Sequence, residues 1–163
     1  MAATGTLLFL CSVLFGQDLK PRKDKETKLY GYQDASKVWV IQPRFNNARK
    51  FSKDGFAVVT VDGWEGLIDT NGDYVLQPEY NDVETFNSFG LCRVMKKIDR
   101  ERYYGVANRL GNIVVPVEYL SVDLKDAAIV KSAKTKLYGV IDASGLEIVP
   151  VDNLEIDRSM GGY

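Results

Sequence analysis

The feature that most constrains this fold is a repeated spacing of glycine residues. Four glycines stand 35, 39 and 34 residues apart, and the residues after each follow one pattern. A short, mainly apolar segment comes first, Asp or Asn lies three positions on, and two branched apolar residues lie nine and ten positions on. The four glycines are Gly31, Gly66, Gly105 and Gly139. A period of this length is typical of repeat proteins, in which small units stack on their neighbours.

Each repeat is predicted to contain a β-hairpin. The turn begins at Asp or Asn, whose side chain can cap its own backbone, and in three repeats it ends at Gly, which reaches positive φ freely. Asn71-Gly72 is the strongest of these turn signals. We expect the returning strand to end at Pro, which cannot donate to a ladder; the prolines are Pro43, Pro78, Pro116 and Pro150. The predicted core row between units is Val40, Val75, Val114 and Ile148.

The pattern defines the domain organisation and the fold class. It covers three full units in residues 28–135 and a half unit in residues 136–150, whereas residues 151–163 form a tail without it. β-Branched residues dominate the apolar runs, and turn signals interrupt every stretch beyond residue 25, so no long helix is expected. The sequence therefore predicts an all-β fold of antiparallel hairpin repeats. These would pack as a short solenoid, a barrel or a propeller-like array.

The N-terminal region indicates the compartment. Residues 1–16 carry no charge, and Leu7–Phe15 is an apolar run of nine residues, which suits a signal peptide better than a membrane span. We expect cleavage near Gly16 and export to the periplasm, the cell surface or the medium. The alternatives are an apolar first strand of a cytoplasmic protein and a retained anchor. Residues 17–28 carry eight charges and one Pro, so residues 17–27 are predicted to be a solvated linker.

Composition excludes several function classes. The 21 Lys and Arg residues balance 22 Asp and Glu residues, which argues against a nucleic-acid partner. The absence of His excludes Ser-His-Asp and Cys-His catalysis and His-ligated metals. Cys92 is the only cysteine that follows the predicted signal peptide. It occupies the position of Ala57 and Ala128, which favours a buried, unreactive thiol.

Taken together, these residues resemble the WG-repeat family. A unit of that family has a Trp-Gly pair, a short apolar strand with Asp, a Gly turn, an apolar pair with Pro, and an aromatic residue. The best matching segments are 63–69 and 72–80, in which Trp64 stands one residue before the expected position. The resemblance covers residues 28–150. It implies an all-β, often bacterial and exported repeat protein, and it supplies no catalytic residue.

Two other patterns in the sequence are compatible with chemistry. Residues 69–73 resemble the start of a calcium loop, but Gly72 is fourth instead of sixth, and Tyr80 stands where the bidentate Glu belongs. A hairpin turn is the better interpretation, so no metal or cofactor is expected. A pair of carboxylates would allow hydrolysis of glycans or peptides. However, the acids recur with the repeat, whereas a catalytic pair should occur once.

Recurring aromatic residues are the candidate binding positions. Tyr30, Tyr104 and Tyr138 precede their glycines, and Trp39 and Tyr74 share a position in the returning strand. With Trp64 they could bind a peptide or a sugar, although packing between units would also explain them. The predicted function is a non-catalytic, exported binding or scaffold module for a protein or a cell-envelope glycan. The alternative is a hydrolase with a carboxylate pair. No integral membrane span is expected.

Overall fold

The computed structural model describes residues 18–125 and 127–153, which form fourteen strands and no helix. The first sheet contains β1 (Lys20–Lys23), β2 (Tyr30–Gln33) and β3 (Trp39–Phe45). The second contains β4 (Asn47–Ala48), β5 (Ala57–Val61), β6 (Trp64–Ile68) and β7 (Tyr74–Tyr80). The third contains β8 (Asp82–Val83), β9 (Leu91–Ile98), β10 (Glu101–Asn108), β11 (Ile113–Leu124), β12 (Ala128–Ser132), β13 (Tyr138–Ile141) and β14 (Glu147–Asn153). In each sheet, neighbouring strands are consecutive in the chain and antiparallel. The predicted all-β fold of antiparallel hairpins is confirmed.

These strands form four similar layers. The first layer is β1–β3 and the second is β4–β7. The third is β8–β10 with residues 113–119 of β11, and the fourth is the rest of β11 with β12–β14. A sequence repeat therefore begins in the middle of one layer and ends in the middle of the next. This arrangement ties consecutive layers together covalently.

An Asn marks the corner between layers where the chain leaves one sheet for another. The side chain of Asn46 accepts a hydrogen bond from the amide of Asp62 at 2.7 Å, and Asn81 accepts one from the amide of Lys97 at 2.7 Å. The corresponding corner in the long strand β11 is Leu120, which has no side-chain acceptor. There the strand runs on without a break, so the third and fourth layers share a sheet.

The predicted hairpin turns are present. The carboxylate of Asp69 accepts hydrogen bonds from the amides of Asn71 and Asp73, both at 2.9 Å. Asn108 and Asp142 cap their own turns in the same way. The turn-ending residues adopt positive φ, as at Gly72 with φ of 90°. The segment interpreted as a turn instead of a calcium loop is therefore a turn.

The prolines do not end the returning strands, contrary to the prediction. Strand β7 continues through Pro78 to Tyr80. Leu67 pairs with Leu76 and Glu65 pairs with Tyr80, so three residues of β7 lie opposite Gly66 alone. This is a bulge, and Pro fits it because a bulged residue need not donate to the ladder. All four repeats have this spacing.

The predicted core row is displaced by one residue. Val40 is 39% exposed and Ile148 is 53% exposed, whereas the next residue along the strand is buried in the first three repeats. The observed row is Ile41, Leu76 and Val115. Successive residues of a strand face opposite sides, so a one-residue error exchanges the buried and exposed faces.

Three clusters of buried side chains lie between successive layers. Between the first and second layers, Tyr32 and Phe45 pack against Ala57, Val59 and Ile68. Each inner layer uses both faces in this way: in β5, Ala57 and Val59 face the first layer while Val58 belongs to the cluster with the third. The core is therefore a series of contacts between neighbouring layers, as expected of stacked repeats.

The predicted linker is partly a strand. Lys20–Lys23 forms β1 and pairs with β2, with Arg22 opposite Gly31. Asp24 then caps the hairpin, accepting a hydrogen bond from the amide of Thr27 at 2.7 Å. The sequence Lys-Pro-Arg-Lys of β1 has no apolar pattern that would predict a strand. Pairing with β2 nevertheless orders the segment as a strand. The predicted signal peptide, residues 1–16, and the tail beyond Asn153 lie outside the described residues.

Candidate binding surfaces

Three of the six candidate aromatic residues pack against cations of neighbouring strands. Tyr30, Tyr104 and Tyr138 are each partly buried; Tyr30 and Tyr138 begin β2 and β13, whereas Tyr104 lies in the middle of β10. Lys23, Arg93 and Lys131 lie over the three rings, at 5.6, 5.4 and 4.9 Å from their centroids. Tyr30 and Tyr104 also pack against the clusters between layers. These contacts account for both rings as packing residues.

Tyr74 connects two layers. Its ring lies edge-on to Phe45, with 6.4 Å between centroids, and it packs against the cluster between the first and second layers. The guanidinium of Arg44 lies 5.7 Å from the same ring and donates a hydrogen bond to the carbonyl of Gly72. Tyr74 and Arg44 together attach the turn of the second layer to the first.

The two tryptophans lie at opposite ends of the strands. Trp39 is half-buried in β3, directly after the first turn. Trp64 is 43% exposed and begins β6 at the tight turn through Asp62 and Gly63. Within the described ranges, no ring–ring contact joins two of the six candidate residues.

A surface that the sequence did not indicate lies where the capped turns stack. We call it the turn edge, and it comprises residues 34–40, 69–75, 108–114 and 142–148 with the adjoining loop 87–90. A Cβ atom at Gly145 would lie 2.6 Å from the carbonyl oxygen of Val114, and one at Gly111 would overlap that of Val75. Gly90 is in contact with Arg109. The turns of the second, third and fourth layers therefore each pack on the returning strand of the layer before.

The turn edge carries most of the exposed large apolar side chains in the described part of the chain. Leu110 is 83% exposed, and the others at this edge are Val38, Val40, Phe89, Ile113, Leu146 and Ile148. The other two exposed large apolar residues of the described ranges, Trp64 and Ile98, lie at the opposite ends of the strands. A signal was available in the sequence, since Val38, Leu110 and Leu146 are large apolar residues inside turns, where polar residues are usual.

Charged side chains tie the layers together. Arg49 pairs with Glu65 at 2.7 Å, and the other carboxylate oxygen of Glu65 accepts the amide of Val83 at 2.9 Å. In the next layer Arg93 pairs with Glu84 and donates to the carbonyl of Val122 at 3.2 Å. Each Arg–Glu pair therefore connects a layer to the next one, but the two pairs use different positions of the repeat. Arg109 joins the turn of the third layer to the second through Asp54, at 2.9 Å.

An open cavity of about 530 Å³ adjoins β1. Residues 18–22 line one side and residues 50–52 the other, including Lys20, Arg22 and Lys50. Lys20 is paired with Asp18 at 3.0 Å. Its charged lining residues, Asp18, Lys20, Arg22 and Lys50, are all exposed, so the cavity is an open groove with no enclosed charged group.

Cys92 is fully buried between the second and third layers. Burial raises the pKa of its thiol to about 12, so the thiolate needed for nucleophilic chemistry does not form near neutral pH. The predicted buried cysteine is confirmed. Among residues 18–125 and 127–153, no group of three or more His, Cys, Asp or Glu side chains is placed to hold a metal ion. The same residues contain no helix that is long and apolar enough to cross a membrane.

Comparison with known proteins agrees with this repeat architecture. Residues 30–63 and 66–97 each match the model of the WG-containing repeat family. Each match begins near an anchoring glycine, at Gly31 or Gly66, and runs from the hairpin of one layer into the strands of the next. No curated protein and no solved structure shows significant similarity to the chain. Residues 30–63 and 66–97 are therefore two adjacent WG-containing repeats.

Proposed function

We propose that this chain is a non-catalytic binding or scaffold module, and that it binds a protein through the turn edge. The observation that carries the proposal is the concentration of exposed apolar side chains there, among them Val38, Leu110 and Leu146. Scattered apolar residues are normal on a surface, but seven of the nine exposed large apolar side chains of the described residues lie at this one edge, and such concentrations mark sites of protein contact. Stacking of the turns holds these side chains on a rigid edge, which lowers the entropy cost of binding.

The roles of the acidic residues support a non-catalytic function. Asp69 and Asp142 are acceptors for their own turns. Glu65 and Glu84 pair with arginines that also reach the next layer. These four carboxylates therefore have structural partners, and turn capping explains why Asp69 and Asp142 recur.

Export is part of the proposal. It is supported by the uncharged residues 1–16 and the apolar run Leu7–Phe15. N-terminal sequencing of the protein isolated from its own cells tests it. We expect a first residue near Gln17 and recovery from the envelope or medium. An intact Met1 in the cytoplasmic fraction would contradict it.

The test of binding compares the affinities of variants at the two opposite ends of the strands. The chain and its variant Leu110→Asp are used as baits with envelope extract, and captured proteins and glycans are identified and then titrated individually. We expect a protein whose affinity falls at least about 30-fold in the variant, because a charge would be buried against an apolar partner surface. Ile98→Asp is the matched control, since Ile98 is also half-exposed but lies away from the turn edge.

Three outcomes would contradict the proposal. Equal loss of affinity in the two variants would place the site elsewhere. Capture of a glycan that depends on Trp64, tested by Trp64→Ala, would favour a sugar-binding module, because exposed aromatic faces bind sugars. Retention of the same protein partner at unchanged affinity by Leu110→Asp would exclude the turn edge.

A further inference from the structure

The first layer has three strands among the described residues, whereas each of the other layers has four. The strand that it lacks is the one that begins the others: β4, β8, and the part of β11 that pairs with β12. These strands pair with β5, β9 and β12, and the equivalent strand of the first layer is β1. Within residues 18–125 and 127–153, β1 pairs with β2 alone. We call the other side of β1 the open edge.

In the second and third layers, the strand at this position donates hydrogen bonds to two carbonyls. The carbonyls of Val58 and Thr60 in β5 accept from the amides of Arg49 and Asn46, at 2.9 and 2.8 Å. The same two bonds recur in the third layer, at 3.0 and 2.9 Å. The added strand is therefore held by its own amides and by the carbonyls of its neighbour.

Strand β1 presents the same two carbonyls at the open edge. They belong to Pro21 and Lys23, at the two equivalent positions of β1. The amide of Asp24 donates to the carbonyl of Leu29 at 2.8 Å, and hydrogen-bonded pairs alternate along an antiparallel ladder, so both carbonyls point away from β2. Proline has no amide to donate, but neither bond takes a donor from β1. Pro21 therefore keeps both acceptors in place and disfavours only those strands that need a donor.

A basic groove follows the open edge. It is the cavity of about 530 Å³ between residues 18–22 and residues 50–52. Three cations line it, Lys20, Arg22 and Lys50, with one acid, Asp18. Lys20 is paired with Asp18 at 3.0 Å, whereas Arg22 and Lys50 have no ion-pair partner within the described part of the chain. Both of these cations are thus left for a ligand.

The pairing register shows where a partner needs its charge. In the second layer Ala48 stands opposite Val59, and both are buried. The third layer has Val83 opposite Val94, also buried. Arg22 occupies the same position in β1 and is exposed. Opposite charges across a strand pair stabilise it, so the residue that fits opposite Arg22 is Asp or Glu.

We propose that the open edge binds an extended, acidic segment of a partner protein, which completes the first layer as its fourth strand. In strand addition, main-chain hydrogen bonds supply affinity and side-chain positions supply specificity. Here the acceptors are the carbonyls of Pro21 and Lys23, while Arg22 and Lys50 select acidic residues. Basic segments are excluded by like charge. The site shares no residue with the turn edge.

The inference rests on one part of the proposed function, the removal of residues 1–16. Eight residues, 49–56, separate β4 from β5, and residues 10–11 stand at the same distance before β1. In an uncleaved chain these residues would compete with a partner for the open edge. The partner segment therefore takes a place that the exported chain leaves open.

Two synthetic peptides based on residues 80–87, which include β8, test the proposal. One carries Val83→Glu and the other Val83→Lys, and each is labelled with a fluorophore and titrated with the protein as isolated. We expect the Val83→Glu peptide to bind at least about fivefold more tightly, because this position lies opposite Arg22 in the added strand. In the protein variant Arg22→Glu the preference should reverse. Lys97→Glu makes a similar charge change at an exposed residue of β9 and should bind both peptides as the parent does.

Four results would overturn the proposal. The first is binding of neither peptide, and the second is equal binding of the two. The third is a preference that Arg22→Glu does not reverse, which would show that charge at the open edge does not select the partner. The fourth is self-association that Arg22→Glu abolishes. It would identify a second copy as the source of the strand, since residues 154–157 alternate apolar and acidic side chains.

The N-terminal sequence of the isolated protein separates this inference from export. Binding of neither peptide to a protein that begins near Gln17 would contradict the inference alone. The same result with an intact Met1 would contradict export as well. Peptide binding to a protein with Met1 would contradict export alone. The Leu110→Asp titration tests the turn edge independently of all these results.

Discussion

Two kinds of glycine recur in the repeats, for different physical reasons. Gly66 is needed because the bulge of β7 passes directly over it: a Cβ atom there would lie 2.6 Å from the carbonyl oxygen of Leu76 and 2.8 Å from the nitrogen of Pro78. Gly111 is needed for its positive φ of 81° and because it contacts the backbone of the preceding layer at Val75. The first kind fixes the bulge within a layer, and the second fixes the distance between layers.

Gly66→Ala should lower the free energy of unfolding by about 2 kcal/mol or more, because the new methyl group meets backbone that cannot rotate away. Gly63→Asn is the control, since a Cβ there meets nothing within 4 Å, and Asn tolerates the positive φ of 86°. Urea denaturation of both variants gives the comparison. Equal destabilisation would show that the bulge does not require glycine.

The buried thiol of Cys92 predicts a pH dependence of stability. Burial raises the pKa of Cys92 from 9.0 to about 12. Between these values the unfolded chain loses the proton while the folded protein keeps it, so the unfolded state binds fewer protons. Stability is therefore unaffected below pH 9 and falls as pH rises, by up to ~1.4 kcal/mol per pH unit for one group.

The measurement is the free energy of unfolding at pH 8 and pH 10 for the parent and for Cys92→Ala. Alanine occupies the same position in the neighbouring repeats, at Ala57 and Ala128. The variant should lose less stability between the two pH values. Burial also raises the pKa of Tyr32 and Tyr80, but these residues are present in both proteins. Equal pH slopes would mean that the thiol is not buried in solution.

At the scale of the strand, substitutions at two adjacent residues of β3 compare its buried face with its exposed face. Ile41→Ala should cost about 2–5 kcal/mol of stability because it leaves a cavity between the first two layers. Val40→Ala, one residue earlier and half-exposed, should cost less than about 1 kcal/mol. Thermal or urea denaturation distinguishes them. A larger loss of stability in Val40→Ala than in Ile41→Ala would instead support the core row predicted from the sequence.

The displacement of the core row by one residue shows which features of a strand or turn its own sequence can specify. The turns were predictable because Asp69, Asn71 and Gly72 act within a few residues of chain. The bulge was not, because it depends on pairing between β6 and β7, and a Pro in the sequence does not distinguish a bulge from a strand end. Strand β1 was missed for the same reason: Lys20–Lys23 is ordered by its partner β2 and not by its own pattern.

At the scale of the whole molecule, the repeat predicted stacking but not which surface would be left free. The recurring tyrosines Tyr30 and Tyr104 were candidates for binding, yet they pack against the clusters between layers. The turn edge emerges only when the layers are stacked, because its apolar residues come from turns that are 34 residues or more apart in the chain. Local sequence patterns carry no information about that alignment.

Stacking of layers also predicts how stability is distributed. The second and third layers bury both faces, through strands such as β5 and β9, whereas the first layer buries only one. When each layer contacts only its neighbours, the ends open before the middle. Hydrogen exchange should therefore be slowest in β5, β6, β9 and β10 and faster in β1 and β2. Ala57→Gly, at the first interface, should speed exchange in β1–β3 more than in β13. Uniform protection, or equal acceleration throughout, would mean that the array unfolds as one cooperative unit and that the separate interfaces do not act as independent sources of stability.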